Sequence, residues 1–370
     1  MKLSSTKNTH TTTVLLRALV IFLFSFLLHP ALACDVCSFL EYGNLRNQHY
    51  LSLSYRHRAL NGYNISGQNN QFSLNGGGNF KTLHQVTNPN TEITNSQEDQ
   101  EVFRSYEVKF SLNFKNNWNI IASIPYNIHR VYFKEVTTTD DLASPPVFEV
   151  SDSTNTVSGI GDIRLFFEKY WIVKNKKWTF FARLSPGVQL PVGESRKSQN
   201  GQLFDPVIQP SMGVWGGMLR THNTLIHRDR LGFSLAATML KVQKKEVSDN
   251  SILASLLNTS TSTLSYQFGN RYNLQCQAFY IFNYYQAIKI IPSIGLYAEA
   301  VQADKLDNEK IDDLGGNSLF GQIGLELLYS DYSLQFNYLP NLANKMNGTQ
   351  IENAGMFNAS IVYRFGKKED

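Results

Sequence analysis

The sequence predicts an all-β chain: a transmembrane antiparallel up-and-down β-barrel of about 12 strands, with short periplasmic turns and long extracellular loops. Three observations predict it: strands too long for a globular sheet, connections alternating between short and long, and aromatic residues beside the short ones. Residues 102–128 show the first. Val102, Arg104, Tyr106, Val108, Phe110, Leu112 and Phe114 alternate with Phe103, Ser105, Glu107, Lys109, Ser111 and Asn113. After Lys115, Asn116 and Asn117 the alternation resumes. Trp118, Ile120, Ala122, Ile124, Tyr126 and Ile128 share one face, and Asn119, Ile121, Ser123, Pro125 and Asn127 the other. Period two places one set on each face of a strand. Each arm is longer than the roughly five or six residues of an ordinary globular strand. Long amphipathic strands joined by tight turns are the signature of a membrane-spanning barrel.

Strand candidates then run near 48–58, 102–114, 118–132, 159–171, 178–190, 206–219, 231–240, 264–282, 287–301, 318–329, 332–340 and 355–365. Connections 115–117, 172–177, 283–286 and 330–331 are short, and 220–230 is intermediate. Connections 59–101, 133–158, 191–205, 241–263, 302–317 and 341–354 are long and rich in Asn, Ser, Thr, Gly and Asp. Outer-membrane barrels put short turns in the periplasm and long loops outside, and an even strand number returns both termini to the short-turn side. Trp118, Trp171 and Trp178 flank short turns, as do Phe114, Tyr284, Tyr329 and Tyr332. Amphipathic rings of this kind favour the headgroup level. Pairing Phe114 with Trp118, Trp171 with Trp178 and Tyr329 with Tyr332 keeps the charges of all three hairpins on one face.

The ends fix the compartment. Lys2, Lys7 and Arg17 precede an apolar run over residues 18–28, and Ala31-Leu32-Ala33 offers a cleavage site before Cys34. This reads as an export signal over residues 1–33; its eleven-residue apolar run is too short for a membrane helix, which needs about 20 apolar residues. Residues 34–47 follow as a periplasmic segment, 48–365 as the barrel and 366–370 as a tail. The expected location is the bacterial outer membrane. Charged residues are only 17 % of the chain, with 24 Phe and 18 Tyr, whereas soluble domains carry roughly 25 % charge. The net charge of +4 is spread without a basic block, so no nucleic-acid partner is implied. The expected partners are outer-membrane lipid, the barrel-assembly machinery and a small-molecule substrate. Ile361-Val362-Tyr363-Arg364-Phe365 resembles the aromatic-ended last strand that barrels present to that machinery, with five residues trailing it.

Several short pieces resemble the outer-membrane transporter barrels related to the "MetA-pathway of phenol degradation" family. They are Gly159-Ile160-Gly161-Asp162, Leu190-Pro191-Val192-Gly193, Gln209-Pro210-Ser211-Met212-Gly213 and Ile124-Pro125-Tyr126. Family members usually have Gly-Thr-Gly where this chain has Ser211-Met212-Gly213. The resemblance implies an outer-membrane barrel and passage of small molecules, and it transfers no substrate or catalytic residue. Read as residues alone, the glycines permit bulges and tight bends in a curving wall.

Parity assigns Glu107, Lys109, Asp162, Arg164, Glu168, Arg183, Lys289, Glu299 and Glu326 to the lumen, because each would cost about 2–4 kcal/mol on the lipid face at mid-bilayer. Such charges either set the selectivity of a pore or pair to hold a filled interior together. Cys34 and Cys37 form a C-x-x-C pair that could bind a soft metal ion such as Cu(I). A disulfide is favoured in an oxidising compartment, and no cofactor is expected. Cys276 shares the lipid face with Tyr272, Leu274, Ala278 and Tyr280. His57 and His129 are the histidines considered for a Ser–His hydrolase, but no Ser context accompanies them, and the chain is not expected to be an enzyme. The expected function is a passive channel or transporter for small solutes. The alternatives are a structural or surface-binding barrel working through its loops and, less favoured, a lipid hydrolase.

Overall fold

The computed structural model describes residues 48–63, 91–92, 100–140, 147–199, 202–204, 206, 208–248, 263–285, 288–311, 314–347 and 351–366. The expected signal peptide, Cys34 and Cys37, and residues 367–370 lie outside the described residues. Twelve antiparallel strands form the wall: β1 (His49–Tyr63), β2 (Gln100–Phe114), β3 (Trp118–Asp140), β4 in two stretches (Val147–Ile160 and Ile163–Lys174), β5 (Trp178–Leu190) and β6 (Gly216–His227). They continue as β7 (Leu231–Val242), β8 (Arg271–Tyr280, prolonged by Phe282–Tyr285), β9 (Ile288–Val301), β10 (Gly316–Tyr329), β11 (Tyr332–Met346) and β12 (Ile351–Phe365). Each strand pairs with its chain neighbours, and β1 pairs with β12 from His49↔Phe365 to Tyr63↔Ile351. That last ladder closes the barrel and leaves the wall without an edge.

Tight turns set the strand order. Asn116 and Asn117 both take positive φ, as do Arg228 and Asp229, and Ser330 does so before Asp331. Left-handed central residues match the twist of a two-stranded ribbon, and Asn and Asp tolerate them best. At the 175–177 turn the Asn175 carboxamide accepts from the Lys177 and Trp178 amides at 2.9 and 2.7 Å. Beside these turns Trp118, Trp171, Tyr284, Tyr329, Tyr332 and Tyr363 are exposed on the outer face, and the Tyr332 and Tyr363 rings stack at 4.9 Å.

The outer face is largely apolar, and the inner face mixes polar and charged residues with apolar clusters such as Tyr297, Phe320, Leu339 and Met356. Ile294, at 67 % exposure, stands mid-strand on the outside of β9, while Tyr297 and Glu299 of the same strand are buried inside. Ile294→Arg is therefore expected to destabilise the folded barrel in lipid by about 2–4 kcal/mol, checked by denaturant unfolding from vesicles; an unchanged midpoint would remove Ile294 from the lipid-facing band.

The register of Phe114↔Trp118 and of Tyr329↔Tyr332 is as expected. Trp171 instead faces Ala182, not Trp178, because β4 runs on to Lys174 before turning. The difference is an even number of residues, so every side chain keeps its face. The sixth strand is displaced further. It spans Gly216–His227, where residues 220–230 read as a connection, and residues 208–215, which read as part of its start, are loop. Arg220, Thr221, His222, Asn223 and Thr224 are polar on both faces and give no alternation. Ile208 and Val214, by contrast, are both buried, and Val214 packs inward in one cluster with Met218, Leu240 and Phe268. The expected strand 264–282 is broken at 268–270. A Cβ on Gly269 would lie 1.8 Å from the Gln302 carbonyl oxygen, so only glycine fits the corner. Above it, Thr263–Gln267 leaves the wall for a small sheet with Lys245–Ser248, Lys305–Leu306 and Glu309–Lys310.

Candidate functional site: a charged layer under a loop cap

The inner face of β1 to β6 carries two buried carboxylates in a nest of cations. Glu107, on the inward parity of β2, is 2 % exposed. It forms an ion pair with Arg56 of β1 and lies 3.5 Å from Lys109 and 3.8 Å from Arg164 of β4. Glu168, two turns of the alternation further along β4, is 1 % exposed. Its oxygens meet Arg183 at 3.8 Å, Arg220 at 3.1 Å, Asn119 at 3.0 Å and Ser185 at 2.9 Å. Phe166 lies between the two acids in sequence, and the Arg220 guanidinium sits 4.8 Å over its ring. Buried charge is tolerated only when paired and hydrogen-bonded, and among the described residues five cations stand around these two carboxylates, a local excess of positive charge. The space at the first nest is about 20 Å³, room for about one water.

A second layer crosses the barrel. Arg58 of β1 donates to Glu299 of β9 at 3.0 Å and to Asn353 at 2.7 Å, and Tyr297 donates to the same carboxylate at 2.8 Å. Three strands, β10 to β12, separate the two strands that this bridge joins. Gln322 extends the polar lining by bonding Gln275, Gln277 and Asn337 at 2.9, 2.7 and 3.1 Å. Toward the short turns, Arg364 stands 3.9 Å from Glu326 and donates to Ser333 at 2.8 Å. Lys289 is half-buried near the β8–β9 turn, away from both nests.

Asp162 has a different role from these wall charges. It sits in the break between the two stretches of β4 and accepts from Ser211 Oγ at 2.5 Å, Gln189 Nε2 at 3.1 Å and the Gly213 and Gly193 amides at 3.2 and 3.4 Å. The Gly161 amide donates to the Pro125 carbonyl at 2.8 Å and the Glu194 amide to the Ile160 carbonyl at 2.7 Å. Asn127 donates to the Pro210 carbonyl at 2.7 Å. A Cβ on Gly193 would lie 2.5 Å from the Gly161 carbonyl carbon, and Gly213 has a φ of +65°. The four short motifs are thus one knot in space. It ties the 191–215 loop down onto the barrel mouth.

The rest of the cap is pinned similarly. Asp304 accepts from the Gly269 amide at 2.7 Å and from the Tyr266 hydroxyl. Burial pushes its carboxyl above the ordinary range, against the hydrogen bonds and Arg271. Burial therefore costs least when Asp304 is protonated, so its contribution to stability is fullest in acid and is lost as pH rises through the raised value, although the two hydrogen bonds themselves favour the ionised carboxylate.

Parity could have found Arg56, Arg58 and Arg364, which share the inward faces of their strands. Arg220 was hidden by the misplaced sixth strand. His57 and His129 come from opposite faces of the wall: His57 lies beside the outward Tyr55 ring, whereas His129 lies inside against Glu101 at 3.3 Å. The Ser234 hydroxyl is 2.8 Å from His222 Nε2, a nitrogen that Thr224 shares at 3.3 Å. Among the described residues no carboxylate bonds the other nitrogen of His222, so the orienting member of a triad is missing there. Cys276 is a free thiol exposed on the outer face.

Neither a protein-family model nor a curated protein sequence matches the chain. Among solved structures, an outer membrane channel from Pseudomonas putida is similar over 90 % of this chain and 99 % of its own, with a TM-score of 0.56 and 12 % identity. That likeness is one of fold. The β domain of the Bordetella autotransporter BrkA aligns over 86 % of this chain and all of its own at 7 % identity, with a TM-score of 0.41. The toluene transporter TbuX from Ralstonia pickettii aligns over 88 % and 91 % at 10 % identity, with a TM-score of 0.34. At those scores neither adds to the comparison.

Proposed function

We infer that the chain is an outer-membrane channel for small solutes whose constriction is the charged layer around Glu107 and Glu168. The observation that carries this is the cation surplus. A barrel kept only as a scaffold has no need of five cations about two carboxylates, whereas a ring of fixed charge is how a narrow pore sorts ions and polar solutes. The surplus favours anions and the negative ends of dipolar solutes. The Pseudomonas putida neighbour, itself an outer membrane channel, supports the same reading. With about 20 Å³ free at the Glu107 nest and the Arg58–Glu299 bridge overhead, passage requires these side chains and the loop cap to move. The same two features favour the second reading, a closed structural barrel.

Planar-bilayer recording of the refolded protein separates the two. Discrete current steps are expected. A folded barrel that stays silent would overturn the channel reading in favour of the structural one, and lipid hydrolysis by that preparation would turn attention to an enzyme.

A further inference from the structure

A groove of about 590 Å³ runs across the outside of the wall, within the range of small-molecule sites at roughly 300–1,000 Å³. It lies between two cross-strand rows of outward side chains. One row runs from Leu184 on β5 through Ala237 and Ala298 to Ala343 on β11, and every step is a register pair. The other runs from Leu219 through Met239 and Ala300 to Lys345. Ala237, Ala298, Ala300 and Ala343 are the small residues of these rows, and Leu184, Leu219, Met239, Leu274 and Leu319 stand exposed in the same rows. At about 4.8 Å per strand, six strand spacings make a track of about 29 Å.

The track slopes. Leu184 is mid-strand in β5, whereas Lys345 is one residue from the long-loop end of β11. One end therefore lies at bilayer depth and the other at the level of the headgroups. Its surface is almost wholly apolar along its length, and the exposed Lys345 ammonium stands at the shallow end. An apolar channel that begins in the hydrocarbon and ends at a cation matches one chemistry: a long acyl chain with a phosphate-bearing head.

We propose that this groove is a binding site for one acyl chain of a phosphorylated outer-leaflet lipid, with its phosphate at Lys345. The site is on the opposite face of the wall from the charged layer, so it stands or falls independently of the channel reading.

The test is native mass spectrometry of the full refolded barrel in detergent with added lipid A. The wild type is expected to retain one lipid. Ala298→Trp, which fills the track, is expected to reduce retention at least about tenfold. Lys345→Gln is expected to reduce it about fivefold, the contribution of one Lys at an anionic lipid surface. Ile294→Trp, on the same outer face but off the track, checks that bulk alone has no effect, and heat-modifiable electrophoresis confirms that each variant is folded. Folded Ala298→Trp and Lys345→Gln proteins that retain lipid A like the wild type would overturn the proposal. So would an equal loss with Ile294→Trp.

Discussion

Glu107→Ala is expected to destabilise the barrel by about 3–5 kcal/mol, the cost of breaking a buried ion pair and leaving its partners uncompensated. Arg56, Lys109 and Arg164 converge on this one carboxylate, and removing it leaves three cations facing one another across a space of about 20 Å³. Glu107→Gln keeps the shape and the acceptor oxygen but loses the charge, so its loss should be smaller than that of alanine. Denaturant unfolding monitored by tryptophan fluorescence measures both. Equal midpoints for wild type and Glu107→Ala would mean that water, not Glu107, compensates these cations.

Asp162→Ala acts on the mouth. It removes one acceptor from four donors; the Gly213 amide keeps Ser211 Oγ at 2.9 Å, whereas the Gly193 amide cannot rotate away. A buried unsatisfied donor costs about 1–3 kcal/mol, so the 191–215 loop is expected to detach while the wall survives. Limited proteolysis should then cut within that loop in the variant and spare it in the wild type, with the heat-modifiable barrel intact in both. If the loop is the cap of a channel, open probability rises as well. A protected loop in Asp162→Ala would show that the apolar packing of Ile208 and Val214 holds it unaided.

Much of this architecture is legible in the chain because a barrel wall obeys one rule, alternation. Phe114 and Trp118 pair as the turn residues between them dictate, and the β4–β5 register differs from expectation without changing any residue's face. What alternation cannot convey is contact across the lumen. Arg58 and Glu299 lie on strands separated by three others, and nothing local in either strand announces the bridge. Alternation also fails where both faces are polar, as over Arg220 to Thr224. It misleads where a loop is apolar because it folds back inside, as over Ile208 to Val214. The Gly- and Pro-containing motifs read locally as bends; only the fold brings Gly161, Asp162, Gly193, Ser211 and Gly213 to one point.

The most direct test of the charged constriction is the reversal potential of single channels under a KCl gradient, compared between the wild type and a Glu107→Gln/Glu168→Gln double variant. The surplus of cations predicts a wild-type potential on the chloride side, displaced further toward chloride when both carboxylates lose their charge. A wild-type potential on the potassium side, or one that the double variant leaves unmoved, would contradict the charged layer as the place where ions are sorted.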